Sequence, residues 1–455
     1  MLSLPEREIN FNDLEKEIFK IGCEFAQELL KSLKTLMGDV SYRRAVYEEI
    51  LESGEKSYVY LLDKELDLSC FGKVTSNLAV RIAEASSVCS FREAARNVSS
   101  MTGQTISHGG VWNVIQEMGE KLGEVEDTNA WLAKMHEGKG EKKTEILFEE
   151  ADGVWINMQG KDRPKKGRRC EMKMAVAYGG WEVQGKARYA LSNKVMVAGF
   201  EKPKQFQQKK EGAIAAVFDT DEINIRILNG DGGNRIKGGL VDADVHFQLD
   251  PFHKNREITR KVKDKGQSET VRRLLSEKRI EDVLLYIKSI SDLAEDEIDK
   301  KNLDELYKYF SNNKAGLIPY QDRGLKIPKP PEGLEYHKLG TMEHHVCDGA
   351  AKRMKHQKAS WSKAGAGNLG RILCIKVCGS IHDTLSNLSK VVLSERYSEK
   401  IEKVLSEAKT PVKDGKGYRY PVNGSIPFKD CFSTNGRKAI IGMLGERSYT
   451  DLMYR

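Results

Sequence analysis

No stretch of about 18 consecutive apolar residues occurs anywhere in the chain, so no membrane-spanning helix is expected. The opening Met1-Leu2-Ser3-Leu4-Pro5-Glu6-Arg7 lacks the basic-then-apolar pattern of a secretion signal, and a cytoplasmic location is expected. Cysteine is sparse, with eight residues and no Cys-x-x-Cys. Cys374 and Cys378 lie four apart in an apolar stretch with no second ligand pair nearby, which argues against structural zinc and for reduced, mostly buried thiols. No internal repeat is apparent. Charge of one sign is also lacking: 74 basic residues face 67 acidic ones, for a net charge of +7. Any case for a polyanionic partner therefore rests on clustering rather than on the total.

Such clusters exist, at residues 163–169, which include Arg168 and Arg169, and at residues 352–358, which include Lys352, Arg353 and Lys355. Each can neutralise phosphates, and each can equally be a solvated loop or helix face. With 39% apolar residues and 31% charged ones, the chain can build real cores beneath a heavily charged surface. Its 455 residues suffice for about three domains.

Helical spacing of Leu14, Ile18, Ile21, Phe25, Leu29, Leu33 and Leu36 predicts an amphipathic helix over 11–37, with Asn12 and Glu15 as a capping box. Residues 39–62 read as a β-ribbon turning at Glu52-Ser53-Gly54-Glu55. Residues 76–122 read as helices. Ser90 caps one, a Gly103-containing turn breaks it, and Ser107 caps the next, which carries Trp112. This helix-turn-helix pattern makes Ser107 and Trp112 DNA-contact candidates, although many helix pairs look alike without touching DNA. Residues 124–143 read as a linker. Beyond them the pattern turns to strands near 144–158, 170–182 and 185–198, a helix near 203–216, a strand ending at Asp231, and a further strand, Val245 to Leu249. Residues 256–335 are charged and helical, and another helix is expected near 385–407. The fold class that emerges is an α/β catalytic core, an RNase H-like mixed sheet interrupted by an all-helical insertion, behind a mainly helical N-terminal DNA-binding domain. The expected domains are 1–124, 144–255 with 336–455 as the two parts of the core, and 256–335 as the insertion.

Three acids stand out within apolar or helix-start contexts. Asp152 lies inside the run Ile146 to Ile156, Asp231 closes the run from Ile223, and Glu343 opens a helix. Carboxylates in buried strands are paired or bind metal, and oxygen donors suit Mg²⁺. Gly153 after Asp152, and Gly232-Gly233 after Asp231, leave room for close approach of DNA or a metal. The adjacent His344 and His345 do not have the i, i+4 spacing of a zinc helix. Trp361 can stack on a base or sit in a core.

The segments Glu150-Ala151-Asp152-Gly153, Asn229-Gly230-Asp231-Gly232, Leu249-Asp250-Pro251-Phe252-His253-Lys254, Asn313-Lys314-Ala315-Gly316-Leu317-Ile318-Pro319-Tyr320 and Gly340-Thr341-Met342-Glu343, with Arg353-Met354-Lys355 and Ser360-Trp361-Ser362, resemble the ISLre-type insertion-sequence transposases, DDE enzymes related to the Mutator-like group. The resemblance runs over nearly the whole chain. It implies two Mg²⁺ (or Mn²⁺) ions, with Asp152 bridging both and Asp231 and Glu343 each completing one coordination sphere. It implies cleavage at terminal inverted repeats and strand transfer into target DNA, by a homodimer or higher oligomer assembled on DNA. Asp250 and His253 match the family's Asp-x-x-His element and are implied to be structural or substrate-positioning. An RNase H-like nuclease without strand transfer, and a DNA-binding protein that no longer cuts, are the alternative readings.

Overall fold

The computed structural model describes residues 29–36, 38–44, 46–50, 56–59, 70–71, 73–136, 140–233, 245–355, 359–379 and 381–387, all within the first of the chain's two units, residues 1–392. The chain begins its described course with strands β1 (Leu29–Thr35), β2 (Gly38–Arg44), β3 (Tyr47–Ile50), β4 (Lys56–Val59), β5 (Cys70–Phe71) and β6 (Val74–Thr75). Helices α1 (Ser76–Ser86), α2 (Phe91–Thr102) and α3 (His108–Lys134) follow. The helical expectation for 11–37 fails over its last part. Residues 29–35 are β1, paired antiparallel with β2 through a tight turn at Gly38, whose φ of 134° suits glycine. Cross-strand pairing such as Leu33 opposite Val40 overrides the helical spacing of the leucines. Residues 11–28 lie outside the described residues. The ribbon expected over 39–62 is likewise split: β2 pairs with β1, whereas β3 and β4 form a separate hairpin. Its turn at 52–55 lies outside the described residues.

The α2–α3 pair forms as its caps dictate. Ser90 Oγ accepts from the Glu93 amide at 3.2 Å, Gly103 ends α2 in the left-handed region at φ 68°, and Ser107 Oγ accepts from the Gly110 amide at 3.0 Å. The expected linker over 124–143 is mostly helix, because α3 runs on to Lys134. Its polar residues are the outer face of a helix whose inner face packs on two others, α4 (Pro203–Ala215) and α10 (Lys363–Val377). Gly212 permits the approach: a Cβ there would lie 2.5 Å from the Ala130 amide nitrogen.

The central sheet has five strands in the order β11-β8-β7-β12-β13, formed by β7 (Ile146–Asn157), β8 (Arg169–Tyr178), β11 (Val195–Gly199), β12 (Ile225–Gly230) and β13 (Val245–Leu249). β7, β8 and β11 are antiparallel neighbours, while β12 runs parallel to both β7 and β13. The hairpin β9 (Trp181–Gly185) and β10 (Arg188–Leu191) joins the short β14 (Leu334–Glu335) in a second sheet. Helices α5 (Pro251–Lys261), α6 (Lys265–Ser276), α7 (Ile280–Asp292) and α8 (Glu297–Asn312) form the expected helical excursion. They have a core of their own, with Val271, Val283, Ile287, Leu306 and Phe310 all fully buried. Past α8 the excursion continues in short 3₁₀ turns and β14 rather than in helix. It returns in α9, which starts at Met342–Val346, opens into a π-helical turn over Cys347–Ala351 and ends at Lys352–Met354. α11 covers Ile381–Asn387, and the rest of the helix expected to reach 407 is outside the described residues. No described helix is long and apolar enough to cross a membrane.

β7 is buried on both faces. Phe148 belongs to the large core that also takes in α1, α2, α3, α9 and α10, whereas Leu147 packs with Ile214 and Phe218 on the α4 side. On the α4 side Glu149, 1% exposed, receives Arg226 Nε at 2.6 Å and the Lys210 ammonium, and Arg226 also forks onto Glu211 at 2.8 and 2.9 Å. Burial alone would raise the Glu149 pKa, but Arg226 and Lys210 outweigh it and hold the carboxyl down to about 2. A carboxyl depressed in the fold stabilises it above its unfolded pKa, and that contribution is lost as pH falls through the folded value. The expected outcome is a stability that declines from about pH 4.5 towards pH 2, with a shallower acid decline in Glu149→Gln, and a loss of about 3–5 kcal/mol in that variant at neutral pH, where Arg226 and Lys210 are left to share Glu211 alone. Chemical denaturation across that pH range measures both.

Candidate active site

Side chains alternate along a strand, so Phe148, Glu150 and Asp152 share one face of β7 and Glu149 and Ala151 the other. Glu150 is fully buried, and it is the most heavily bonded carboxylate on that face. Its Oε1 accepts from Tyr178 Oη at 2.7 Å and Thr341 Oγ1 at 2.6 Å. Its Oε2 accepts from Asn229 Nδ2 at 2.9 Å and from the amides of Gly340, Thr341 and Met342 at 3.0, 3.0 and 3.3 Å. Rings pack beside it, with Phe148 centred 5.8 Å from Tyr178, 5.1 Å from Trp181 and 5.4 Å from Tyr320, which keeps the carboxylate dry. In low dielectric a charge survives only when its lone pairs are filled, and here they are. Burial first, then the adjoining Glu150 charge, pushes the Tyr178 phenol far above its ordinary pKa, so it remains a donor.

The same hub reaches the acids singled out in the sequence. Asn229 Nδ2 also donates to Asp250 Oδ2 at 2.7 Å. Asp250 caps α5, its Oδ1 accepting from the amides of Phe252 at 2.9 Å and His253 at 3.1 Å. The helix start so fixed points His253 Nε2 at Asp152 Oδ2, 3.3 Å away, while Arg256 Nη2 lies 3.0 Å from Nδ1. A guanidinium only donates, so Nδ1 accepts and the neutral ring offers its Nε2–H to Asp152. Burial pulls the His253 pKa down, but the hydrogen bond and charge of Asp152, helped by Asp250, carry it above the ordinary value.

Asp152 and Asp231 are neighbours by register. The last bonded pair between β7 and β12 is Ala151 opposite Gly230, and one residue further along each chain stand the two aspartates. Parallel strands lie about 5 Å apart; Asp152 shares its face of β7 with Glu150, and Asp231 stands one residue past the end of β12. Asp231 Oδ1 accepts from the Gly233 amide at 2.9 Å, and its carbonyl accepts from Tyr309 Oη at 2.8 Å, which ties the end of β12 to α8. Glu343 is exposed on the first turn of α9, directly after the residues that clasp Glu150. Hard carboxylate oxygens at adjacent strand positions fit a divalent cation such as Mg²⁺ in donor type. Among the described residues, however, no three His, Cys, Asp or Glu side chains are gathered closely enough to form a ready cage. Register thus brings Asp152 and Asp231 to adjacent chain positions, while Glu343 lies on another element, the first turn of α9.

The glycines do not leave open space as expected. A Cβ at Gly153 would meet Glu171 Oε1 at 2.0 Å, and one at Gly232, held at φ 81°, would meet Asn313 Oδ1 at 2.5 Å. The protein's own side chains occupy both clearances. Among the DNA-contact candidates, Trp361 sits in the core at 8% exposure, its indole N–H donating to Met354 O at 3.0 Å, which is the core alternative of the two sequence readings. Arg353 lies 5.1 Å from the rings of both Phe91 and Trp361, with its Nε on Ser86 O. Lys352 pairs with Asp348. Arg169 bonds Asn157 Oδ1 at 3.3 Å, while Arg168 and Lys355 are exposed. Ser107 serves as the α3 cap and Trp112 is 44% exposed on its first turn. Sequence reasoning passed over Glu150, Asn229, Tyr178 and Thr341 as a working group. The available signal was a second acid two residues before Asp152 in an apolar run.

A family model described as "Uncharacterised protein family (UPF0236)" matches residues 22–390. The UPF0236 protein in the vanSb 3′ region of Streptococcus gallolyticus is 25% identical over 356 residues, covering 76% of this chain and 72% of that protein. A UPF0236 protein of Caldanaerobacter subterraneus subsp. tengcongensis, whose name joins four locus designations, is 25% identical over 338 residues, covering 74% of this chain and 65% of that one. Another from the same organism, 23% identical over 338 residues with the same coverages, joins eleven locus designations. The chain thus spans a little under two thirds of those two Caldanaerobacter relatives.

Truncating the hub carries a clear expectation. Glu150→Ala strands donors from β8, β12 and the start of α9, and costs about 3–5 kcal/mol. Amide hydrogen exchange over residues 340–346 should accelerate more than exchange in α7, whose core is separate. Equal acceleration in both would show that the clasp on α9 is not local.

Proposed function

We propose, taking as premise that this chain belongs to the UPF0236 family, that it is a DNA transposase that cuts element ends and joins them to target DNA through carboxylate-held Mg²⁺ or Mn²⁺. The observation that carries the reading is the placement of Asp152 and Asp231 side by side on parallel strands, with the first turn of α9, bearing Glu343, clasped to the same strand by Glu150. An antiparallel trio of strands extended by two parallel ones, with acids near the carboxyl end of β12, supports the RNase H-like core that the sequence resemblance implies. The joined locus designations of the two Caldanaerobacter relatives support it independently, because several copies in one genome are what a self-propagating sequence leaves.

Asp152, Asp231 and Glu343 would hold the ions. Such ions would supply Lewis-acid activation of a water or 3′-hydroxyl and charge stabilisation at the leaving oxygen of the phosphodiester. The chain's own residues set the geometry. His253 orients Asp152 through Nε2, and Arg256 fixes the imidazole from the other side. Asp250 and Asn229 tie that histidine to Glu150, so one buried carboxylate indexes the helix start and two strands together. Closing the set requires the exposed Glu343 side chain to reach towards the aspartates while the Gly340, Thr341 and Met342 amides stay on Glu150. DNA recognition falls to the α2–α3 pair, whose His108, Trp112 and Asn113 are exposed at the start of α3. Pairing of two ends calls for at least a dimer on DNA.

The test is a Mg²⁺-dependent cleavage and joining assay on DNA flanking the encoding gene. His253→Ala should lower the cleavage rate about 10–100-fold, as loss of a ligand-orienting partner does. Asp152→Asn should lower it further while leaving end binding intact. Cleavage by Asp152→Asn at the parental rate would refute the assignment, and cleavage without joining would leave a nuclease.

A further inference from the structure

Two clefts run along the side of α9 that faces β11 and α10, and they share Lys194, His344, His345 and Val377. One, of about 610 Å³, is cationic: Lys194, Lys352, Arg353 and Lys376 line it, and its acid, Asp348, is taken up by Lys352 and His344. Neither Lys194 nor Lys376 forms an ion pair among the described residues. Burial, reinforced by Lys352 and opposed by Asp348, holds the Lys376 ammonium below the ordinary lysine pKa, so a neighbouring anion would stabilise it. The other cleft, of about 950 Å³, is aromatic: Tyr189 from the β9–β10 hairpin, 45% exposed, leans on His337 with ring centroids 4.3 Å apart. A cationic channel that opens onto an exposed ring is the arrangement that holds an unpaired strand, phosphates on the cations and bases on the ring. Thr341 and His344, which flank Glu343 in sequence, both line this groove.

We propose that the groove binds single-stranded nucleic acid, with backbone phosphates on Lys194 and Lys376 and a base stacked on Tyr189, and that it leads the strand past the first turn of α9. Only the destination of the strand rests on the phosphodiester reading above; the binding itself does not.

The experiment uses the full chain in EDTA, so that no cleavage intervenes, and follows the anisotropy of a labelled oligothymidylate of about 20 nucleotides across a salt series. Lys194→Gln with Lys376→Gln should weaken binding at least about tenfold and reduce the slope of log affinity against log salt by about 1.4, two phosphates at 0.7 each. Tyr189→Ala should weaken it about 5–150-fold, the worth of one stacked base, and Tyr189→Phe should restore it. The proposal is overturned if the double variant, melting at the parental temperature, keeps parental affinity and slope. It is equally overturned if a blunt duplex of the same length binds as tightly and loses as much on substitution. Each single Lys→Gln variant gives half the slope change and serves if the double variant melts early. Parental binding with no Mg²⁺-dependent cleavage would sink the transposase reading while leaving the groove in place.

Discussion

One buried carboxylate organises this molecule. Glu150 has no access to water, and its two oxygens are filled by donors from β8, from β12 and from the start of α9, segments separated by up to 192 residues along the chain. An ionised group placed there without partners would cost several kcal/mol, so each donor is held to its position by the penalty of leaving it. The consequence is a fixed junction: the turn that starts α9 cannot drift from the sheet without exposing a naked charge to a wall of aromatic rings. The helical excursion of α5 to α8 can therefore be inserted between β13 and α9 without loosening the return point.

β7 carries the load on both faces. Glu149 on one side is paired with Arg226 and Lys210, whereas Glu150 on the other is held by uncharged donors alone. The difference has chemical weight. Glu149 sits in an ion cluster that fastens α4 to the sheet, whereas Glu150, two residues before Asp152, meets no cation among the described residues.

Much of this was legible in the sequence. The strand runs around Asp152 and Asp231, the Val245–Leu249 strand, the Ser90 and Ser107 caps, and the helices between β13 and α9 follow from apolar periodicity and capping chemistry. The failures have physical causes. Leu29 and Leu33 satisfy a helical spacing, but their segment is recruited as a strand partner for β2, a non-local choice that spacing cannot show. The polar composition of 124–143 suggested a linker because, as far as Lys134, one face of a long helix is wet. Gly153 and Gly232 looked like open approaches because Glu171 and Asn313, the side chains that fill them, are remote in sequence. The pairing of His253 with Asp152 was beyond reach for the same reason.

The burial of α3 against both α4 and α10 has an evolutionary corollary. Its midsection is wedged so tightly that a Cβ on Gly119 would overlap Asn368 at 2.3 Å. In many multidomain proteins a recognition module hangs on a tether and can be exchanged wholesale between lineages. Here the helix that would read a sequence doubles as a structural beam of the sheet's own core. Under the proposed DNA-reading role, substitutions that altered recognition without disturbing this packing would fall at its exposed tip, around His108, Trp112 and Asn113.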